Sequence, residues 1–349
     1  MKAGTRQRVL LVGPLSSVGG INVHLSRLAR LLKDDIAFDF IDDAPPRLAR
    51  DPSRSVRRYA SLFNVLTKMA RSDVVHIHSG NWILRILLII ASRLCRAKVI
   101  VTIHSYRISG IKRLVSNLFM RFAVGIICVS GEIAIRMPRE VIIREAFIPP
   151  EEGRRQAIPD EVARFITDHR GSIIICANAS RLVLHEGGDL YGLDQCVALA
   201  RRAKEQGEKI AIIFVVGAVF PEDDLFFAAV DAVREQGLGD LIMIYSKGLD
   251  FVSLIKASDI VLRPTLTDGD ALTIREGLYF GKVVIASDVV ARPKGTLLYS
   301  IGGSDALYDA VKRSLPLTTV RDGVRSNLHK DSSFQYRSFY LEVYRNCLR

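Results

Sequence analysis

Short apolar runs alternate with amphipathic segments of helical period along this chain, and the alternation runs through twice. That is the pattern of a parallel α/β sheet. In the first series, Arg8–Gly13, Asp73–His78, Lys98–His104, Gly125–Val129 and Ile142–Ile148 read as strands. Ile21–Leu32, Trp82–Arg96 and Ile111–Phe122 read as helices; in the first of these Val23, Leu25, Leu28, Leu31 and Leu32 fall at helical spacing. In the second series, Ser172–Ala177, Ile210–Val216, Leu241–Tyr245, Asp259–Arg263 and Val283–Ser287 read as strands. Leu193–Glu205, Glu222–Glu235, Phe251–Ala257, Ala271–Phe280 and Asp305–Leu315 read as helices. Between the series, Pro149–Pro159 is polar and carries three prolines and a glycine, the best linker candidate. The expectation is two Rossmann-like α/β domains, residues 1–150 and 151–333. A ligand is expected in the cleft between them, at the carboxyl ends of the strands.

The 349 residues suit two domains, each large enough to bury a core without staples. Ordinary globular composition, 49% hydrophobic and 25% charged, excludes disordered and low-complexity classes. The five cysteines are scattered and never form a C-x-x-C pair, which argues against a zinc site or a secreted disulfide framework. The apolar run Val9–Val12 is too short for a signal peptide. The longest apolar stretch, Trp82–Cys95, contains Arg85 and Arg93 and falls short of the ~20 residues a spanning helix needs. A soluble cytoplasmic chain is expected.

Charge is unevenly distributed. Residues 1–150 hold 24 Lys and Arg against 10 Asp and Glu, whereas the remainder is close to neutral. Such asymmetry points to an anionic partner for the first half, a nucleic acid or an anionic membrane surface. Few aromatics interleave with the basic residues and no nucleic-acid module is present, so nucleic acid is not expected. The helices Trp82–Arg96 and Ile108–Phe122 mix large apolar residues with Arg85, Arg93, Arg96, Arg107, Lys112, Arg113 and Arg121. Either they lie on an anionic bilayer or they pack on the sheet with basic outer faces.

Three segments carry a family resemblance. They are Gly13-Pro14-Leu15-Ser16-Ser17-Val18-Gly19-Gly20 with its following helix; Asp73-Val74-Val75-His76-Ile77-His78-Ser79 with Val101-Thr102-Ile103-His104-Ser105; and Arg263–Leu278 with Gly281–Asp288. Together they resemble the retaining GT-B glycosyltransferases of family 4, over nearly the whole chain from about residue 8. The third segment is the most specific. It looks like the family's acid-x7-Glu motif, with Asp268 where the family usually has Glu, and Glu276 eight residues on. The closing segment Phe334–Leu348 looks like the terminal helix that crosses back to the first domain, so residues 334–349 are assigned there.

The resemblance assigns roles. Gly19 and Gly20 precede a helix N-terminus, where backbone amides and the helix dipole favour an anion, here the donor diphosphate or the transferred sugar. His104, at the carboxyl end of a strand, matches the histidine that contacts donor sugar or phosphate. His76 and His78 share one face of a strand and are either ligands or satisfied structural histidines. Asp268 is expected to reach sugar hydroxyls and Glu276 to accept from a ribose diol. The amides of Ala271, Leu272 and Thr273 begin a helix and suit the diphosphate. Asp270 complicates this: either it turns toward a sugar hydroxyl, or this end of the site differs from the family. Arg181 stands where the family places an arginine against the leaving diphosphate. Tyr191 occupies the position of the family's lysine and carries no charge. No metal site is expected, and the spacing Asp268-Gly269-Asp270 overlaps the acid-x7-Glu motif.

These readings imply transfer of a sugar from a nucleotide-diphosphate sugar, expected to be UDP-linked, without a cofactor. The expected acceptor is a lipid-linked saccharide for surface polysaccharide, on the inner face of the membrane. The rivals are a nucleotide-sugar epimerase on the same fold and a non-catalytic nucleotide-sugar-binding protein.

Overall fold

A computed structural model describes residues 6–16, 19–44, 61–150, 157–302, 305–320 and 330–347. Ser17 and Val18 of the predicted anion-facing loop, and residues 151–156 of the predicted linker, lie outside the described residues. The chain divides into two compact units: Met1–Ile148 with Lys330–Arg349, and Pro149–His329.

The first unit contains β1 (Gln7–Gly13), α1 (Gly20–Leu31), β2 (Ile36–Asp42), α2 (Ser61–Ala70), β3 (Val74–Ile77) and α3 (Trp82–Leu94). It continues with β4 (Lys98–Ile103), α4 (Gly110–Met120), β5 (Gly125–Cys128), α5 (Gly131–Ala134) and β6 (Ile142–Ile143). All six strands are parallel, in the order β2-β1-β3-β4-β5-β6. Strand order reverses between β1 and β3. Right-handed crossovers place α2, α3 and α4 on one face of the sheet and α1 on the other. Side-chain alternation follows: Leu10, Val12, Val75, Ile77, Val99 and Val101 pack with Met69, Leu88 and Ile89 from α2 and α3. The opposite face carries His76, paired in register with Leu11 and Ile100.

The second unit contains α6 (Asp160–Asp168), β7 (Ile173–Ala179), β8 (Leu184–His185), β9 (Gly188–Asp189), α7 (Leu193–Glu205), β10 (Ile210–Val216) and α8 (Asp224–Glu235). It continues with β11 (Ile242–Tyr245), α9 (Phe251–Ala257), β12 (Ile260–Arg263), α10 (Leu272–Tyr279), β13 (Val283–Ser287), β14 (Leu297–Tyr299) and α11 (Ala306–Val320). Its six-stranded parallel sheet runs β11-β10-β7-β12-β13-β14, the dinucleotide-fold order, reversing between β7 and β12. Both faces are covered, which is why its strands read as unbroken apolar runs. Ile175, Ala177 and Ala179 of β7 join a core with α7, α8 and α11; Ile174 and Cys176 join one with α6, α9 and α10.

The last helix, α12 (Lys330–Asn346), belongs to the first unit. Tyr340 and Tyr344 are fully buried, Gln7 donates to the Tyr344 carbonyl at 3.0 Å, and Tyr336 donates to Glu145 at 2.7 Å. Its three tyrosines are therefore core, whereas Phe334 is exposed.

The sequence expectation fails at Ile142–Ile148, where only Ile142–Ile143 is strand. Ala146, Phe147 and Ile148 are buried without a ladder. Side chains of α1 take the freed carbonyls: His24 donates to Ala146 at 2.7 Å and Arg27 to Ile148 at 2.9 Å. None of the five cysteines is in a disulfide. Among the described residues no helix is long and apolar enough to cross a membrane.

Candidate functional site

Each sheet's order reversal leaves a crevice at the carboxyl ends of two strands, the usual ligand position in such folds. In the second unit these strands are β7 and β12, and the predicted donor residues follow them.

Arg263 ends β12 and grips Asp268 with two nitrogens, at 2.9 and 3.1 Å. Arg292 donates to the same carboxylate at 2.9 Å, and the Gly269 amide at 3.0 Å. Arg292 is almost wholly buried and also donates to the Ser287 carbonyl and the Thr265 hydroxyl. Burial alone would raise the Asp268 carboxyl, but the charges and hydrogen bonds of Arg263 and Arg292 outweigh it and hold it at about 2. Asp268 was expected to reach sugar hydroxyls. Its oxygens are instead occupied by arginine, and its observed work is to position two buried guanidiniums. The cluster retains one net positive charge. Arg292 had no signal in the sequence, because it lies 24 residues from its partner on a loop.

Asp270 pairs with Arg275 at 2.6 Å. Ala271 is the N-cap residue of α10 and has no side-chain group with which to cap it. The charge of Asp270 is thus offset by Arg275 beside the first-turn amides of Leu272 and Thr273. Thr273 donates to Asn178 of β7 at 3.0 Å, which ties α10 to the reversal point. Glu276 is buried, one turn into α10.

Tyr191 precedes Gly192, whose φ of +72° brings the turn against Pro264. The Tyr191 ring lies 5.2 Å from the Arg263 guanidinium, and its hydroxyl meets Ser180 at 3.3 Å. Arg181 follows β7 but gives two nitrogens to Asp223, at 3.1 and 2.6 Å. Its charge is offset by a partner 42 residues away that spacing did not reveal. A separate groove lined by Leu182, Leu184, Leu225 and Ala229 contains none of the predicted donor residues.

In the first unit the reversal lies between β1 and β3. Gly13 ends β1 where any Cβ would meet Leu25 Cδ1 at 2.7 Å and His78 Cβ at 3.1 Å. Gly19, with φ of +154°, caps α1 without a side-chain hydrogen bond, and Gly20 begins the helix. His104 is not alone. Its Nε2 lies 3.0 Å from Nδ1 of His78, and the His24 ring is 5.3 Å away. His76 is satisfied on both sides, by the Tyr344 and Thr102 hydroxyls, each at 2.8 Å. Nε2 of His78 is buried with no hydrogen-bond partner. Burial lowers all four histidines: His24 to about 4, His76 to about 3, and His78 and His104 well below the ordinary 6.5. Four neutral imidazoles thus cluster here at neutral pH, of which only His104 is partly exposed.

His24, His78 and His104 bring nitrogens within 4.8 Å of one another, the one group among the described residues with metal-ligand composition. A tetrahedral zinc site holds its nitrogens about 3.3 Å apart, from Zn–N distances near 2 Å. Here one His24 nitrogen serves Ala146, and His78 and His104 are hydrogen-bonded to each other. No carboxylate belongs to the group, and the charges of Arg27 and Arg85 act on His24 and His104. The arrangement suits hydrogen bonding to neutral hydroxyls better than holding a dication.

No family model and no curated protein sequence matches this chain. Solved structures do. HepE of Anabaena, crystallised with UDP-glucose, superposes with a TM-score of 0.72 at 15% identity, over 98% of this chain and 100% of that one. A glycosyltransferase of Rickettsia africae gives 0.68 at 16%, over 99% of each. Sucrose-phosphate synthase of Thermosynechococcus elongatus gives 0.63 at 17%, over 98% and 99%. What is shared at such identities is the fold, so the two parallel six-stranded sheets with their helices are the two Rossmann-like domains of the GT-B architecture.

Proposed function

We propose that this protein is a retaining glycosyltransferase of the family 4 type that moves a sugar from a UDP-sugar to a lipid-linked saccharide in surface polysaccharide assembly. The observation that carries the reading is the group at the β7–β12 reversal point. It combines a buried Glu276, the N-terminus of helix α10 with Ala271 as its N-cap residue, and the net positive Arg263–Asp268–Arg292 cluster. A carboxylate suits a ribose diol; helix amides and a guanidinium excess suit a diphosphate. The HepE crystals hold UDP and UDP-glucose, which favours uridine as the base.

In the reaction the bond from the anomeric carbon to the diphosphate oxygen breaks. The acceptor oxygen bonds to that carbon from the same face, and its proton passes to the departing phosphate. No protein nucleophile is assigned. Negative charge grows on the leaving group, so the residues' task is electrostatic. Arg263 and Arg292 take it in this chain, where Tyr191 replaces a lysine and Arg181 is paired with Asp223. No metal or cofactor is assigned to the transfer. Gly19, Gly20 and His104 are assigned by family resemblance to the sugar and phosphate of the donor. The acceptor side falls to the basic first unit, with the protein peripheral on the inner membrane face.

The test is binding and turnover of UDP-, GDP-, ADP- and dTDP-sugars with membrane extract as acceptor, in wild type and Glu276→Ala. One donor consumed by the wild type, with clear loss in the variant, is expected. A folded wild type that binds no donor refutes the reading. The Arg181–Asp223 pair and the saturated Asp268 favour a second reading, a binding protein that has kept the pocket and lost the chemistry. Donor binding without turnover under any acceptor would select it.

A further inference from the structure

Helices α3 and α4 lie side by side on the sheet face opposite the histidines, and each buries only one side. On α3, Ile83, Leu87, Ile90 and Leu94 point outward; on α4, Ile111, Leu114, Val115 and Leu118 do, with Phe122 just beyond. These nine side chains are between 37% and 79% exposed. The spacing, 83-87-90-94 and 111-114-115-118-122, makes a continuous stripe on each helix. Isolated exposed apolar residues need no explanation, but two adjacent stripes do.

The charge around them is of one sign. From Val74 to Gly131 the chain contains no Asp or Glu, and it contains eight Lys and Arg. Arg93, Arg96, Arg107, Lys112, Arg113 and Arg121 are exposed beside the stripes. A second copy of this chain docking face to face would bring two such cationic surfaces together, which like-charge repulsion opposes. An anionic bilayer offers both a hydrocarbon boundary for the stripes and phosphate for the cations. The helices are too short and too charged to span, so they lie in the interface.

We infer that the α3–α4 face docks on an anionic lipid bilayer, with Leu87, Leu94, Leu114 and Leu118 entering the acyl boundary and Lys112 and Arg113 binding headgroup phosphate. This deepens the peripheral-membrane part of the proposed function, yet it needs none of the donor chemistry.

The test is vesicle flotation of the full chain without nucleotide sugar, using vesicles of phosphatidylcholine alone and of a two-to-one phosphatidylcholine–phosphatidylglycerol mixture. Wild type should float with the mixed vesicles far more than with the neutral ones, and rising salt should release it. Lys112→Gln with Arg113→Gln should lower partitioning roughly 25-fold, about fivefold per cation. Leu87→Ser with Leu118→Ser should lower it by a similar factor, since each removes about half a leucine's transfer. Phe227→Ser, exposed on α8 of the other unit, should change nothing. These side chains are exposed, so circular dichroism should report unaltered folding. A folded wild type that fails to float with mixed vesicles overturns the inference. So does flotation indifferent to both double variants, or a dimer that Leu87→Ser with Leu118→Ser disperses while no vesicle binding is seen. Flotation without donor turnover would uphold this face and refute the transferase; turnover on a soluble saccharide without flotation would do the reverse.

Discussion

Replacing Asp268 by Asn tests the claim that this carboxylate works by holding two arginines. The substitution keeps the volume and removes the charge, leaving Arg263 and Arg292 buried with no counter-ion. The carboxyl is held at about 2 instead of its ordinary 3.8. At about 1.4 kcal/mol per pH unit, the ionised form is therefore favoured by about 2 kcal/mol over the neutral form that Asn imitates. Asp268→Ala, which also opens a gap, should cost about 3–5 kcal/mol, as for other broken buried pairs. The sign follows from linkage: a depressed carboxylate stabilises the fold above its unfolded value and loses that contribution as pH falls through the folded one. The gap between wild type and Asp268→Asn should thus be full at neutral pH, narrow below about pH 4 and close toward about pH 2. Urea unfolding followed by circular dichroism across that range measures it, and hydrogen exchange in β12 and α10 locates it. An Asn variant as stable as wild type at neutral pH, or a gap that widens on acidification, would refute the reasoning.

Other consequences are open to the same methods. The buried histidines must stay neutral in the fold, so the unfolded chain binds more protons below 6.5 and stability is lost as pH falls. For His24 and His76 alone, at about 4 and 3, acidification from pH 6.5 to about 5 should remove about 3 kcal/mol from the first unit. Unfolding midpoints that do not move over that interval would contradict this. Gly192→Ala should destabilise the second unit by at least about 3 kcal/mol, because a Cβ at a φ of +72° would strike the Pro264 carbonyl and crowd its ring carbon at 2.8 Å. A thermal melt within a degree or two of wild type would show that the turn can relax.

Some elements were legible residue by residue. Leu193–Glu205, Ile210–Val216, Phe251–Ala257 and Val283–Ser287 have the boundaries that periodicity assigns. Their signals are local: unbroken apolar runs buried on both sheet faces, and a start such as Asp250, whose side chain accepts from the Ser253 amide. The strand Ile36–Asp42 escaped notice because it lies at a sheet edge, where half its residues need not be apolar. The tail Arg144–Ile148 misled for the opposite reason. It is as apolar as a strand, but the partners of its carbonyls are His24 and Arg27, more than a hundred residues away.

The same division runs through the candidate site. Sequence alone determined the two α/β series, the helix α10 that carries Glu276 and the glycine turn before α1, because each depends on neighbours along the chain. Tertiary structure alone decided that Arg292 completes the clamp on Asp268, that Asp223 offsets Arg181, that Asp270 turns to Arg275, and that His78 stands against His104. Charge pairing acts through space, and a carboxylate's role is set by whichever cation the fold delivers to it. Spacing along the chain records which residues share a helix face or a strand, and no more than that.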